Sequence, residues 1–280
     1  MYEHIRFDSW ENFVDTAEKK APGDVRLASR GYRVETSWAV DMPEALQLAR
    51  NGWPTGANYV KRHLDTKEAI GQHYLKVITP AQAGPGTLDM GRYIQGHPEP
   101  YLVYRDSDIL ADGGRIVKIV VSAGLSAGIE SDALLQYGTT ICEVIDTLER
   151  TGYRTELSLH HTASYSDPNP KIPEQGITWE IPLKRAEEPL DMDRVAFAIA
   201  NSAVARRLVF SLMEQLPMPK RKAMSAYGIY GYGRPSFEPV DGAINFPPLS
   251  LYNQELKEAV ANNKLEKWIT GELEKVGVCA

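Results

Sequence analysis

The 280-residue chain has only two cysteines, Cys142 in a helical pattern and Cys279 near the end. That is too few for a disulfide framework or a cysteine-rich zinc site, and it suits a reducing compartment. Long apolar runs are missing as well. The longest, 116–121, is interrupted by Lys118 and falls far short of the ~20 residues that a membrane-crossing helix requires. Near Met1, the charges of Glu3, Arg6 and Asp8 break any apolar core of a secretion signal, so no membrane span and a cytoplasmic setting are expected. No dinucleotide-binding glycine fingerprint, phosphate-binding P-loop, paired-histidine zinc helix or calcium loop occurs. The one histidine pair, His160-His161, is adjacent on a predicted strand, where neighbours face opposite sides and cannot share a metal ion. Asp106-Ser107-Asp108 and Asp191-Met192-Asp193 read as turn and helix-cap acids. The reading is therefore of no enzyme, no cofactor and no metal.

What is present suffices for a sizeable core. Hydrophobic residues make up 43% and charged residues 24% of the chain, enough for one large domain or two small ones. The net charge is −6, which argues against coating nucleic acid with the whole surface. One segment runs against that average. Met218 to Arg234 holds Lys220, Arg221, Lys222 and Arg234 with no acid, so it carries +4 and leaves −10 for the remainder. Within it Tyr227, Tyr230 and Tyr232 alternate with Gly228, Gly231 and Gly233. Rings can stack on unpaired bases while cations hold phosphates, each stacked base contributing about 1–3 kcal/mol. The same composition also fits a glycine-rich strand or hairpin whose tyrosines pack on the core.

Along the chain, Ser9 can cap a short amphipathic helix that stops before Ala21-Pro22-Gly23. Residues 32–38 alternate like a strand, and Asp41 with Pro43 opens a second helix that Gly52 ends. Residues 70–99 read as irregular or β-hairpin structure. Sharper patterns follow: a β-branched strand at 115–121, a small-residue loop at 122–128, and a helix from Ser131 to Gly152. Strands at 153–160 and 177–183 come next, then one long helix at 195–216 stopped by Pro217 and Pro219. Strand, helix and strand in this order predict an α/β fold, an open mixed sheet with crossover helices, joined to a helical N-terminal part. The expected division is 1–110, 111–216 and 217–280 within one compact unit. From Leu256 to Val276 apolar residues recur at helical spacing, giving a terminal helix that either docks on its own core or mediates self-association or partner docking.

Gly124-Leu125-Ser126-Ala127-Gly128 follows the first good strand and matches the G-x-S-x-G nucleophile elbow. A serine hydrolase using Ser126 would also need an immediate helix and a later histidine. The helix begins only at Ser131, and His160 and His161 come too early in the chain, so the small residues are better read as easing a tight turn. The order of elements from Arg115 to Leu216 resembles a von Willebrand factor A-like domain. In that family the loop reads D-x-S-x-S and holds a divalent ion. Here Ser122 stands for the aspartate, Gly124 for the first serine, and only Ser126 is kept. Hard cations need carboxylate oxygens, so the resemblance implies a metal-free, protein-binding adaptor.

The run Ser37-Trp38, Glu44-Ala45-Leu46 and Ala49-Arg50-Asn51-Gly52-Trp53-Pro54-x-Gly56, followed later by Pro189–Arg194, resembles a family of uncharacterised tailed-phage proteins. In length, acidic charge and basic aromatic segment the chain is also similar to the single-stranded-DNA-binding RNA polymerase cofactors of N4-like phages. That likeness implies binding of single-stranded DNA through Lys220, Arg221, Lys222, Tyr227, Tyr230, Tyr232 and Arg234, recruitment of a phage RNA polymerase, self-association, and a place in the host cytoplasm.

Overall fold

The structure is a computed structural model that describes residues 2–20, 28–30, 39–66, 76–81, 87–88, 90–106, 116–126, 128–150, 152–165, 174–224, 226, 232–249 and 258. The predicted strand at 32–38 and the C-terminal helical stripe, Glu258 apart, lie outside these residues.

Local rules account for the first helices. In α1 (Trp10–Glu18) the Ser9 hydroxyl accepts the Asn12 N–H at 3.1 Å, and Trp10, Phe13, Val14 and Ala17 form one buried face. Asp41 caps α2 (Met42–Asn51) in the same way through the Glu44 N–H. Gly52 stops it at φ 83, and a Cβ there would lie 2.6 Å from that of Asp193, so glycine is required twice over. α3 (Pro54–Thr66) follows. Next in the chain comes a small antiparallel sheet of β2 (Lys76–Ala81), β4 (Tyr101–Asp106) and β3 (Thr87–Leu88), in that spatial order, with the short α4 (Met90–Ile94) between β3 and β4 in sequence.

The main sheet is mixed, as the strand–helix–strand pattern requires. β5 (Ile116–Ser122), α5 (Ser131–Arg150), β6 (Arg154–Tyr165) and β7 (Gln175–Lys184) build its centre. Three strands escape sequence reading: the short β8 (Arg234–Ser236), β1 (Tyr2–Arg6), which pairs in parallel with β7, and β9 (Ala243–Phe246), which pairs in parallel with β5. The spatial order is β1-β7-β6-β5-β9, with β6 and β7 antiparallel, and β8 (Arg234–Ser236) pairs with β6 beyond the end of β5. The N-terminal part is thus stitched into the same sheet, and α2 and α3 pack against α6 (Met192–Ala200).

The pairing register divides the sheet into two faces. Leu157, Leu159, His161 and Ala163 of β6 share one face with Ile177, Trp179 and Ile181 of β7, and all are buried in the core beside the helices. The other face carries Ser158, His160, Thr162 and Ser164 with Thr178 and Glu180, and His4 and Arg6 of β1 extend it. On the core side, Gly138 lets α5 approach α6, since a Cβ there would meet that of Ala200 at 2.5 Å.

The predicted long helix at 195–216 is in fact broken. α6 ends at Asn201, whose backbone is extended and whose side chain takes the Ala203 N–H at 2.9 Å. An amide that satisfies the backbone locally competes with helix continuation. The chain then bends by 67° into a π-helical turn, Val204–Val209, and α7 (Phe210–Glu214). Among the described residues no single helix is long and apolar enough to cross a membrane.

A buried ion pair closes the β6–β7 end of the core. Lys184 Nζ lies 2.9 Å from Glu149 Oε1 and donates to the Thr155 carbonyl at 2.8 Å, while the Thr155 N–H and hydroxyl both donate to Glu149. Lys184→Met should lower unfolding free energy by about 3 kcal/mol in urea titrations, the smaller end of the range for broken buried pairs because Thr155 still serves Glu149.

Candidate functional site

The basic segment opens on a helix. Residues Met218–Ala223 form the short helix α8, with proline in its first turn. This places the seven predicted nucleic-acid contacts in different settings. Arg221 is buried, its Nε donating to the Ala226 carbonyl at 3.3 Å, so it holds the turn and is not presented to a phosphate. Lys220 is paired with Glu3 of β1. Tyr232 is half-buried, stacked flat on Phe210 at 3.9 Å, with its hydroxyl donating to buried Glu214 at 2.7 Å. Lys222 and Arg234 are exposed, and Tyr227 and Tyr230 lie outside the described residues. Packing has claimed Arg221 and Tyr232 because a buried guanidinium and a phenol each find a fixed acceptor there. The Gly233 N–H donates to the Met224 carbonyl at 2.8 Å and so ties the two sides of the basic segment together.

The loop after β5 sits where strands that follow in the chain lie on both sides of it, the usual place for a crevice in an α/β sheet. Its polar groups are used internally. Ser122 Oγ accepts the Gly124 N–H at 3.1 Å, Ala123 N–H donates to the His160 carbonyl at 2.7 Å, and Ser126 N–H donates to the Leu249 carbonyl at 3.3 Å. Arg206, from the π-helical turn, reaches in to donate to the Leu125 carbonyl at 3.0 Å. A Cβ at Gly124 would lie 3.0 Å from Pro235 and Pro248, so the serine that a D-x-S-x-S loop carries there would have to push both rings aside. The Ser126 side chain is buried, and the helix starts at Ser131 instead of directly after it. A nucleophile elbow needs its hydroxyl exposed at the start of a helix.

Arg206 is held at a cost. Burial pushes its guanidinium down to about 9, and it lies over the Phe210 ring that stacks on Tyr232. The strand-end loop is therefore linked to Tyr232 of the basic segment through Arg206 and Phe210.

A third set of polar groups occupies the non-core sheet face. Glu180 accepts from His4 Nδ1 at 2.7 Å and Arg6 Nε at 2.6 Å. Glu238, from the segment between β8 and β9, lies 3.7 Å from His4 Nε2 and accepts from Thr178 at 3.4 Å, and Thr178 meets Thr162 at 3.0 Å. Burial opposes the charge on Glu180, yet its bonds to His4 and Arg6 outweigh it and hold the carboxyl below its usual range. His160, bonded to Ser158 at 3.2 Å, is pushed down by burial, with Glu180 opposing and His4 and Arg6 adding. Among the described residues no group of three His, Cys, Asp or Glu side chains is arranged to hold a metal ion.

The two stretches that carry the tailed-phage resemblance meet in space. The Trp53 N–H donates to the Asp193 carbonyl at 3.0 Å, and Gly52 has room only for hydrogen beside Asp193. A match to a protein family spans residues 2–278, so both stretches and all three polar sites fall inside it. The chain belongs to the DUF7192 family, a domain of unknown function. No curated protein and no solved structure matches the chain.

Within this DUF7192 chain, the Gly52-Trp53 and Asp191-Met192-Asp193 segments join α2 to α6 and belong to the scaffold. Sequence reasoning missed the sheet-face cluster. His4 and Arg6 sit on a strand whose alternation, Tyr2-Glu3-His4-Ile5-Arg6, is readable, but their partner Glu180 is about 175 residues away in sequence. Arg206 and Glu214 were hidden inside a helical pattern, where a charged residue normally reads as solvent-facing.

Proposed function

We propose that this DUF7192 protein is a non-catalytic binding adaptor with a von Willebrand A-like core that recognises a protein partner without a divalent ion. The observation that carries this reading is the strand-end loop: β6 and β9 flank β5 on its two sides, while the loop's hydroxyl, amide and carbonyl groups are bonded within the protein and Pro235 and Pro248 pack beside Gly124. A loop so closed supports recognition by shape in place of ion chelation. Photo-crosslinking from a reactive residue substituted for exposed Gly128 is expected to capture a protein, equally with chelator or magnesium present. The control position is exposed Glu44 on α2. Equal capture at the two positions, or capture that chelator abolishes, would overturn the reading.

A second reading, binding of single-stranded DNA with recruitment of a phage polymerase, keeps support from one observation. The Gly233–Met224 hydrogen bond brings the two sides of the Tyr/Gly segment together, and Lys222 and Arg234, close to it in the chain, are exposed. On this reading the contacts contract to Lys222, Tyr227, Tyr230 and Arg234. In fluorescence-anisotropy titrations, Tyr227→Ala and Tyr230→Ala should each weaken oligonucleotide binding by about 1–3 kcal/mol, and affinity should fall steeply with salt. Equal affinity for single strands and duplex, or none at low salt, removes it.

A further inference from the structure

The end of α1 carries a cluster of cations that neither proposed reading uses. Lys19 and Lys20 follow the helix and are exposed, and so is Arg30, from the tight helical turn Ala28–Arg30. Arg30 Nη2 donates to the Glu18 carbonyl at 2.8 Å and the Lys19 carbonyl at 3.4 Å. Gln215 Nε2 donates to the Thr16 carbonyl at 2.8 Å and the Lys19 carbonyl at 3.2 Å. Lysines at a helix C-terminus commonly serve its last carbonyls. Here Arg30 and Gln215 already do so, and both ammonium groups are left to solvent. The carboxylates at this end of α1 are engaged elsewhere: Asp15 and Glu18 accept from Arg50 of α2 at 3.0 and 2.7 Å. The cluster adjoins the last tyrosine of the Tyr/Gly run. Ser29, next to Arg30, donates its N–H to Glu214 Oε1 at 3.0 Å, and the Tyr232 hydroxyl donates to the same oxygen at 2.7 Å. One buried carboxylate oxygen thus holds Arg30 beside Tyr232, and Arg234, two residues further on, is exposed as well.

We propose that Lys19, Lys20 and Arg30 form a phosphate-binding rim for single-stranded nucleic acid, lying next to Tyr232. The rim rests on the single-stranded-DNA reading above and deepens it, since it gives the strand a second set of cations from a part of the chain remote in sequence. A chain of net charge −6 needs a local positive field to hold a polyanion, and exposed cations on a hydrogen-bonded backbone provide one. Cations beside an aromatic run suit a strand whose bases stack while its phosphates are held. A membrane surface fits less well. The large apolar side chains of α1, Trp10, Phe13 and Val14, are all buried, so the helix offers nothing to enter a lipid layer.

The test is the salt dependence of binding, because each phosphate contact to a single strand adds about 0.7 to the slope of log K against log salt. Fluorescence anisotropy on the full chain, with labelled single-stranded oligothymidylate, should give a slope smaller by about 1.4 in Lys19→Gln/Lys20→Gln than in wild type. Adding Arg30→Gln should bring the reduction to about 2. The control is Lys61→Gln/Arg62→Gln on α3, which removes the same charge from exposed positions on a helix packed against α5 and α6, and it should leave the slope unchanged. The lysine variant should melt at the wild-type temperature; if it melts lower, Lys20→Gln alone serves, with a reduction of about 0.7. An unchanged slope in the lysine variant, or an equal reduction in the α3 control, overturns the rim and leaves the single-strand reading standing. Absence of wild-type binding at low salt removes that reading and the rim with it. Phosphatidylserine vesicles supply the last arm. Vesicle binding lost in the lysine variant, with oligonucleotide binding intact, assigns the cluster to a membrane surface and overturns the proposal.

Discussion

Glu214→Ala should lower the unfolding free energy by about 4–5 kcal/mol, measured from urea or thermal denaturation, because it strips a buried acceptor from three donors at once. The carboxylate is fully buried. It accepts the Ser29 N–H at 3.0 Å, the Ser29 hydroxyl, and the Tyr232 hydroxyl at 2.7 Å. Nearby, Arg207 donates to the Ala39 and Val40 carbonyls. Burial pushes this guanidinium down, and the charges of Asp41 and Glu214 push it back up. Removing Glu214 leaves three donors without an acceptor and a buried cation with Asp41 as its remaining counter-charge. Glu214→Gln keeps the shape and one carbonyl acceptor but turns an amide toward donors, so a loss of about half that size is expected. A loss below ~1 kcal/mol for Glu214→Ala would show that water reaches the site and replaces the carboxylate. Because Tyr232 belongs to the Tyr/Gly run, the same variant should also weaken any nucleic-acid binding that the run supports.

Acidification from pH 7 to pH 4 should cost about 3 kcal/mol of stability through His161 alone. The folded imidazole titrates near 4, against 6.5 for the free side chain. The unfolded chain therefore binds a proton between those values while the native state does not. Stability from this residue is present above pH 6.5, declines as pH falls towards 4, and levels off below that. A separation of that size, at 1.36 kcal/mol per pH step, sets the figure. His160 acts in the same direction, since burial depresses it too, although Glu180 opposes the effect. Urea midpoints measured across this window should fall in the wild type and flatten in His161→Phe. Equal pH dependence in the two proteins would place the acid sensitivity elsewhere, in carboxylates such as Glu180 that must be protonated on the way down.

Helix starts and stops in this chain are local matters. Ser9, Asp41, Gly52 and Asp191 each act on backbone groups within three or four residues, and each does in space what its sequence context suggests. The α/β class and the mixed sheet follow from the same short-range patterns. The break at Asn201 was harder to see, because apolar periodicity continues through it while one side-chain amide redirects the backbone.

The candidate site depended on longer reach. Four cations and three tyrosines close together in sequence look equivalent, yet Arg221 and Tyr232 are spent on the Ala226 carbonyl and on Glu214 with Phe210, while Lys222 and Arg234 stay in solvent. Composition cannot separate them, because what distinguishes them is the position of acceptors and rings contributed by other elements. The edge strands β1 and β9 are likewise short alternating segments whose meaning comes from β7 and β5. Sequence by itself determined where the backbone turns, starts and stops, since those choices rest on hydrogen bonds closed within a few residues. Only the tertiary structure decided which charges are buried, which histidine lacks a partner and which loop is closed, since each depends on groups brought together from distant parts of the chain.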